Sequence, residues 1–547
     1  MPSAPASRDI PGPVWWREMR RDVLPLLMVT RLLFVLFTLA LPIWRQQTGA
    51  PPLVLNDKPS ENATGTAFDA WNRWDTLWYD DIARLGYNVR GPKGYKNVAF
   101  FPLYPLLMRS VEDGITFVSQ DVLGNTPPDR RNPWPPYLAI GLLVSNICSI
   151  AAMAFLYGLV RLDHGRKIAR RTVTLLALCP LSFYLFTAYS EGTFLMCAIA
   201  CFYALRLQRW WQAGLWGLLA AVARPPGAVL VVPFLMVWAQ AHPAAAQSLA
   251  ARFLRAGHLL LARARQPWRS AVMWLRQERN RRRPGMMAVR VGGEGGNTNE
   301  TTPLPFRATH ADSLGRTPRR RAGDLNQMGR ARQPAVRVVA VAPRARRAQR
   351  RRPRVPDLRH WPEDARRALY NALPVVVIPF GLGLFMLFLY KLFGDALYFS
   401  HAQRAWWRTF ALPWETLYIS VAWPLGDLFH WTFADSDASA FHDLFYEIVG
   451  LWLTYKAAKR LPRVQGVYLW LIWAVILCSP SMLVDKAIGE PHRDVLMSLP
   501  RLLLMMFPLF TYLAVVTEQR YYRYLVIFFA GSLAVYTDLY LTGGWIG

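Results

Sequence analysis

The chain has 547 residues, 53% of them hydrophobic, with 23 Trp and a formal net charge of +29. Its mean hydropathy is +0.13, and its apolar residues fall in continuous blocks of about 14 to 24 residues separated by polar loops. Blocks of that length suit a hydrocarbon core of ~30 Å, and because they do not alternate with polar residues they exclude a transmembrane barrel in favour of helices.

The N-terminus is polar, with a basic cluster from Arg17 to Arg21, and is followed by an apolar block over 24–43. That block is too long for a signal-peptide core and lacks a small-residue cleavage site, so it reads as a retained span. Further spans are expected at 137–160, 172–188, 193–206, 212–223, 228–241, 373–394, 442–455, 467–483, 501–517 and 523–540. The predicted fold is an all-α polytopic membrane protein with about 11 transmembrane helices and a long first outer loop carrying interfacial helices. Cations gather in the loop Arg161–Arg171, at Arg206 and Arg209, in Lys456–Arg463, and at Arg520 and Arg523. Counted alternately, these fall on the side of the N-terminus, which places that side in the cytoplasm. Within 212–241, Pro225-Pro226-Gly227 predicts a helix break between two short segments forming a hairpin.

Three regions follow: an N-terminal membrane module 1–241, a basic insert 242–372, and a C-terminal membrane module 373–547. The insert carries roughly 20 of the 29 net charges. Its stretch 280–356 is rich in Arg, Pro, Gly and Ala without sustained periodicity, which predicts disorder in the cytoplasm. It lacks the interleaved aromatics that stack on bases, so anionic lipid is its expected partner and nucleic acid is not. The five cysteines, Cys148, Cys179, Cys197, Cys201 and Cys478, all lie in apolar blocks and indicate neither a disulfide framework nor a zinc site.

The first outer loop, roughly 44–136, carries the most informative pattern. Phe68, Trp71, Trp74, Trp78, Ile82 and Leu85 recur every three or four residues, predicting a helix with one aromatic face along the membrane surface. Asp69 and Arg73 are spaced to pair. Asp75 is left with Asn72 and Tyr79 as its nearest polar neighbours and no local cation. A carboxylate there either solvates an interfacial helix or takes the proton of an attacking hydroxyl, a step worth about 10²–10⁴-fold.

The string Arg73-Trp-Asp-Thr-Leu-Trp-Tyr79, with Ile82-Ala83 and Gly86-Tyr87 after it, resembles the signature of the PIG-V-type mannosyltransferases. So does Asn97-Val-Ala-Phe-Phe-Pro-Leu-Tyr-Pro-Leu-Leu-Met-Arg109. Weaker matches are Tyr189-Ser-Glu191, Ala223-Arg-Pro-Pro-Gly227, Ser400-His-Ala-Gln-Arg404 and Ser498-Leu-Pro-Arg501. The family includes the enzyme that adds the second mannose to glycosylphosphatidylinositol anchors. Its eukaryotic members tend to have Ser-Asn where this chain has Pro225-Pro226, and the wording of 97–109 looks closer to the prokaryotic branch. The resemblance implies a GT-C-like membrane glycosyltransferase that uses a polyprenyl- or dolichyl-phosphate sugar, with Asp75 as the base.

Other outer-face residues are candidates for substrate binding. Arg73, Trp74 and Tyr79 flank Asp75. Glu191 is either a solvated loop carboxylate or part of the site. Arg224, beside the helix break, either holds a donor phosphate or snorkels to the interface. His401 and Arg404, near Trp406 and Trp407, either meet lipid phosphate or anchor an aromatic belt. Arg493, within the cluster His492-Arg-Asp494, and Arg501 could clamp a phosphate, while Arg501 could also be a span-edge cation. Asp485 and Glu490 lack a convincing ligand spacing, so no metal site is assigned and the cofactor is left unspecified. Arg31 inside the first span is costly unless buried or paired.

The predicted function is therefore transfer of mannose from a lipid-phosphate donor to a lipid-linked or cell-envelope acceptor at the non-cytoplasmic face, with inversion. The membrane would be the plasma membrane in a prokaryote and the endoplasmic reticulum in a eukaryote. The competing reading is a polytopic lipid or solute transporter. It calls for charges inside several spans near the midplane, whereas most ionisable residues here lie at the span edges.

Overall fold

A computed structural model describes residues 12–49, 67–87, 94–122, 137–252, 254–255, 273–274, 362–430, 437–482 and 495–544. Among them all regular structure is helical, apart from one isolated antiparallel bridge between Arg408 and Ser481. The chain divides into two compact units, one of residues 1–250 with 361–547 and one of residues 251–360. In the second unit, helical backbone is described at 251–252, 254–255 and 273–274. Most of the insert, including 280–356, lies outside the described residues, as does the cluster His492–Asp494.

Among the described residues, four helices are long and apolar enough to cross a membrane: Arg17–Thr48, Tyr137–Leu178, Glu363–Phe393 and Gln519–Leu541. Pro225–Ala241 and Pro243–Arg252, bent by 117°, make a fifth if counted as one broken span. The other expected spans correspond to shorter or more polar helices. Glu191–Arg206 has 16 residues, Trp210–Ala223 has 14, Val231–Ala241 has 11 and Arg463–Leu477 has 15. Two are interrupted. The helix expected over 172–188 ends at Leu178, before Cys179-Pro180, and gives way to a 3₁₀ turn at Ser182–Leu185. That over 501–517 is split into Leu499–Leu503 and Pro508–Val516, because proline at the start of a helix fits only where no amide bond is needed. The helix Pro413–His430 was not anticipated, since Pro424 and its scattered polar residues hide it in a hydropathy reading.

Tyr137–Leu178 is two helices joined at Gly165, whose φ of +80° and ψ of 173° only glycine adopts without strain. The chain turns back there. Asn146 Nδ2 donates to the Phe186 carbonyl at 2.9 Å, and Ser149 Oγ to the Leu185 carbonyl at 2.7 Å. The basic loop expected at 161–171 is thus the folded end of a helical hairpin. Glu18 pairs with Arg161, and Asp22 with Arg166 at 2.6 Å, tying the N-terminal helix Gly12–Asp22 to that end.

The segment 212–241 also forms a hairpin. Trp210 at its start lies 5.7 Å from Phe234 and 6.0 Å from His242, ring to ring. At the bend the backbone of Gly227 is pressed onto the end of the preceding helix, and a Cβ there would lie 2.2 Å from the Ala220 carbonyl carbon. Pro225 restricts Arg224 to extended backbone (φ −158°, ψ 148°), so the chain leaves the helix sharply at that residue.

In the segment expected as the first outer loop, the continuous helix predicted over 68–85 is broken. A 3₁₀ turn covers Ala67–Trp71, and the α-helix Asp75–Leu85 begins only after Trp74, whose φ is +47°. The aromatic face does not lie open on a membrane surface. Trp71 is fully buried, its Nε1 donating to Thr38 Oγ1 of the first span at 2.9 Å. It packs against Phe34 and Phe186, and against Tyr540 of the last helix. Trp78 stacks on Phe100 at 5.8 Å and meets Trp406 edge-on. Burial of rings this large contributes on the order of 2–3 kcal/mol each, so the loop is welded into the helical bundle.

Candidate functional site

The fold brings Asp75, Glu191, Arg224 and Arg501 into one charge network. Asp75 is the first residue of its helix, where the helix dipole favours a carboxylate. Glu191 opens the helix Glu191–Arg206, and Arg501 lies in the short helix Leu499–Leu503, entered through Ser498 at φ +70°. Arg501 Nη1 stands 2.7 Å from Asp75 Oδ2, and its Nε 3.0 Å from Glu191 Oε1. Arg224 Nη1 donates to the same Glu191 oxygen at 2.7 Å. Charges alternate along the chain of contacts, two negative and two positive, which is how ionised groups survive burial. The Arg501 guanidinium also lies over the rings of Tyr184 and Tyr189, at 5.6 and 5.3 Å.

Asp75, Arg224 and Arg501 of this network line a cavity of about 340 Å³. Asp75, Tyr79, Arg224, Arg408 and Arg501 supply its polar face, and Phe100, Phe101, Phe399, Val475, Ile476, Leu502 and Met505 its apolar face. A site half charged and half greasy suits a polar head joined to a hydrocarbon. Tyr79 is buried and its hydroxyl is 2.6 Å from Ser190 Oγ. Burial pushes its phenol well above the ordinary value, so it stays protonated and acts as a neutral hydrogen-bonding group. The Asp75 amide donates to the Tyr189 hydroxyl at 3.3 Å, which ties the start of the helix to the Tyr189–Glu191 turn.

Two flanking residues make contacts away from the cavity. Arg73 is buried and donates from Nε to the Ala70 carbonyl and from Nη2 to the Leu541 carbonyl, both at 2.9 Å, clasping the end of the last helix. Trp74 rests edge-on against Tyr540 at 4.9 Å. His401 and Arg404 are both exposed. His401 Nδ1 is 2.7 Å from Asp395 Oδ2. The Leu397 amide, and secondarily His401, hold the Asp395 carboxyl below its ordinary value. From that segment the cavity is lined instead by Phe399, Ser400, Gln403, Trp406 and Arg408. Arg493 lies outside the described residues. Among the described residues no group of three His, Cys, Asp or Glu is placed to hold a metal ion.

Arg408 had no signal in the sequence beyond its place after two tryptophans. Its Nη1 donates to the Ser479 carbonyl and its Nη2 to the Met497 carbonyl, each at 2.9 Å. It thereby fastens the turn that leads through Ser498 to Arg501. Of the four non-glycine residues with positive φ among the described residues, Trp74, Trp407 and Ser498 adjoin or line this cavity, and the fourth, Gln208, does not. Such conformations cost about 1 kcal/mol or more each and gather where a site is held in a fixed shape.

Residues 20–249 match the family model described as mannosyltransferase (PIG-V). The chain is a glycosyltransferase, with mannosyl transfer the activity of that family. The matched part contains Asp75, Glu191 and Arg224, whereas Arg501 and Arg408 lie beyond it and join the site only through the fold. Its apolar helices, together with this match, make the chain a membrane protein. No curated protein and no solved structure matches the chain.

Proposed function

We propose that this chain, crossing its membrane several times, transfers mannose from a polyprenyl- or dolichyl-phosphate donor to a glycolipid or envelope glycan at the non-cytoplasmic face. The observation that carries the reading is Asp75 facing the same cavity as Arg224 and Arg501. An acceptor hydroxyl attacks the sugar's anomeric carbon from the side opposite the phosphate. Its proton passes to Asp75, the bond from carbon to phosphate oxygen breaks, and the phosphate leaves with the electron pair. One displacement inverts the anomeric carbon. Arg224 and Arg501 meet the charge on the departing phosphate, as guanidiniums do best with planar pairs of oxygens.

The apolar wall at Val475, Ile476, Leu502 and Met505 suits the first units of the donor's hydrocarbon chain. The concentration of Lys and Arg in alternate loops supports an outward-facing first loop. Of the basic insert 242–372, whose ends at 242–250 and 361–372 belong to the main unit, we read 251–360 as a cytoplasmic appendage that meets anionic lipid and takes no part in transfer. The test incubates membranes containing the protein with labelled polyprenyl-phosphate mannose, and in parallel with the corresponding glucose donor and a nucleotide-linked mannose. Label from the lipid-phosphate mannose should enter a glycolipid or glycan. Transfer from the nucleotide sugar alone would overturn the proposal.

A further inference from the structure

We infer that the donor phosphate takes Arg501 from Asp75, uncovering the base, and that Glu191 is the positioning residue that makes this exchange possible. The inference rests on the lipid-phosphate donor proposed above.

The two carboxylates on Arg501 are not equivalent. Glu191 is fully buried and does not line the cavity, so it is beyond the reach of substrate. Its Oε1 accepts a hydrogen bond from Arg224 and is ion-paired with Arg501 Nε at 3.0 Å, and its Oε2, like Arg501 Nε and Nη1, has no hydrogen-bond partner among the described residues. A carboxylate anchored by two guanidiniums in a dry site has nowhere to go. Asp75 lines the cavity and holds Arg501 through one oxygen. It also sits in the first turn of a helix, where the dipole supports its charge without a cation. An incoming anion therefore meets the contact between Asp75 and Arg501, and that contact is the one it can replace.

Because Arg224 and Arg501 share one oxygen of Glu191, their guanidiniums are held side by side, and both face the cavity. Side-by-side guanidiniums grip one tetrahedral phosphate through charge-assisted bonds. Arg501 Nη1 is buried and ion-paired with Asp75 without a hydrogen bond, so a phosphate that reaches the guanidinium, held over Tyr184 and Tyr189, offers it the hydrogen bond it lacks. Before the donor arrives, the Asp75 oxygen nearest the cavity's cations is occupied. Afterwards it is free for the acceptor hydroxyl. The consequence is an order of binding, donor before acceptor, which keeps the base from activating a hydroxyl with no sugar to receive it.

The test measures binding of a polyprenyl monophosphate lacking any sugar to the purified full-length protein in detergent. Asp75→Asn removes the competitor for Arg501, and binding should tighten about ten-fold. Glu191→Gln spreads the clamp, and binding should weaken by a similar factor. Inorganic phosphate should rank the three proteins in the same order, and a polyprenol without phosphate should not distinguish them. Unchanged or weaker binding of the monophosphate to Asp75→Asn would overturn the exchange, as would a polyprenol difference of the same size. Unchanged binding to Glu191→Gln would remove Glu191 from the role. If Asp75→Asn does not fold, Asp75→Ser carries the same expectation. Tighter binding in a protein that transfers no sugar from any lipid phosphate would show the exchange of Arg501 between Asp75 and a phosphate but overturn the proposed function and, with it, the donor-first order. Transfer without the tightening would do the reverse.

Discussion

Asp75 Oδ2 and Arg501 Nη1 meet at 2.7 Å, although they belong to the helix Asp75–Leu85 near the N-terminal end and to the short helix before the last two helices of the chain. The pair closes the cavity from both ends of the sequence, so the site exists only when the N-terminal and C-terminal membrane segments are packed together.

Replacing Asp75 with Asn keeps the side chain's shape and removes its basicity. Transfer should fall by about 10²–10⁴-fold. The variant should still insert and give a monodisperse peak in detergent, because Glu191 continues to hold Arg501. Rate measurements under donor saturation check this, and wild-type turnover in the variant would exclude Asp75 as the base.

Arg501→Ala should be harsher than Asp75→Asn. It strips the buried Glu191 of one of its two cations and leaves Asp75 unpaired, a change that typically costs about 3–5 kcal/mol. Both transfer and the thermal midpoint in detergent should drop. Arg501→Lys restores charge without the fork, so it should recover stability more than activity.

Gly227→Ala tests the bend that presents Arg224. The new Cβ would press on the Ala220 backbone, which cannot move aside as a flexible side chain could. Overpacking of this kind costs about 1–3 kcal/mol. Because Arg224 stands three residues away, apparent affinity for the donor should weaken more than maximal rate.

Tyr79, Tyr87 and Tyr104 of the outer segment all have phenols raised by burial above the ordinary value of 10.0. The unfolded chain loses these protons first as pH rises, while the folded chain keeps them. Stability is therefore undiminished below pH 10 and declines above it, by up to about 1.4 kcal/mol per pH unit for each group. Unfolding in detergent followed from pH 9 to pH 11 should show this decline, and Tyr79→Phe should make it shallower.

Deleting residues 280–356 should leave transfer largely intact in a correctly inserted protein. Loss of activity in such a variant would contradict the view of this stretch as an appendage.

The sequence by itself determined the class of the protein and its candidate base. Continuous apolar blocks can be satisfied only as helices in lipid, and Pro225-Pro-Gly227 forces a break wherever it falls. The motif around Asp75 was legible because its residues are contiguous. Pairing was not. Nothing in the spacing around Asp75 provides a cation, since its partner comes from a distant helix, and nothing around Arg408 marks it as the clasp of that helix's turn. The expected outer helix was broken for the same reason: periodicity records which residues are apolar, while burial of Trp71 against Thr38 and Tyr540 decided where the chain had to bend. Local chemistry selects the residues that can act; only packing across the whole chain sets the distances at which they act.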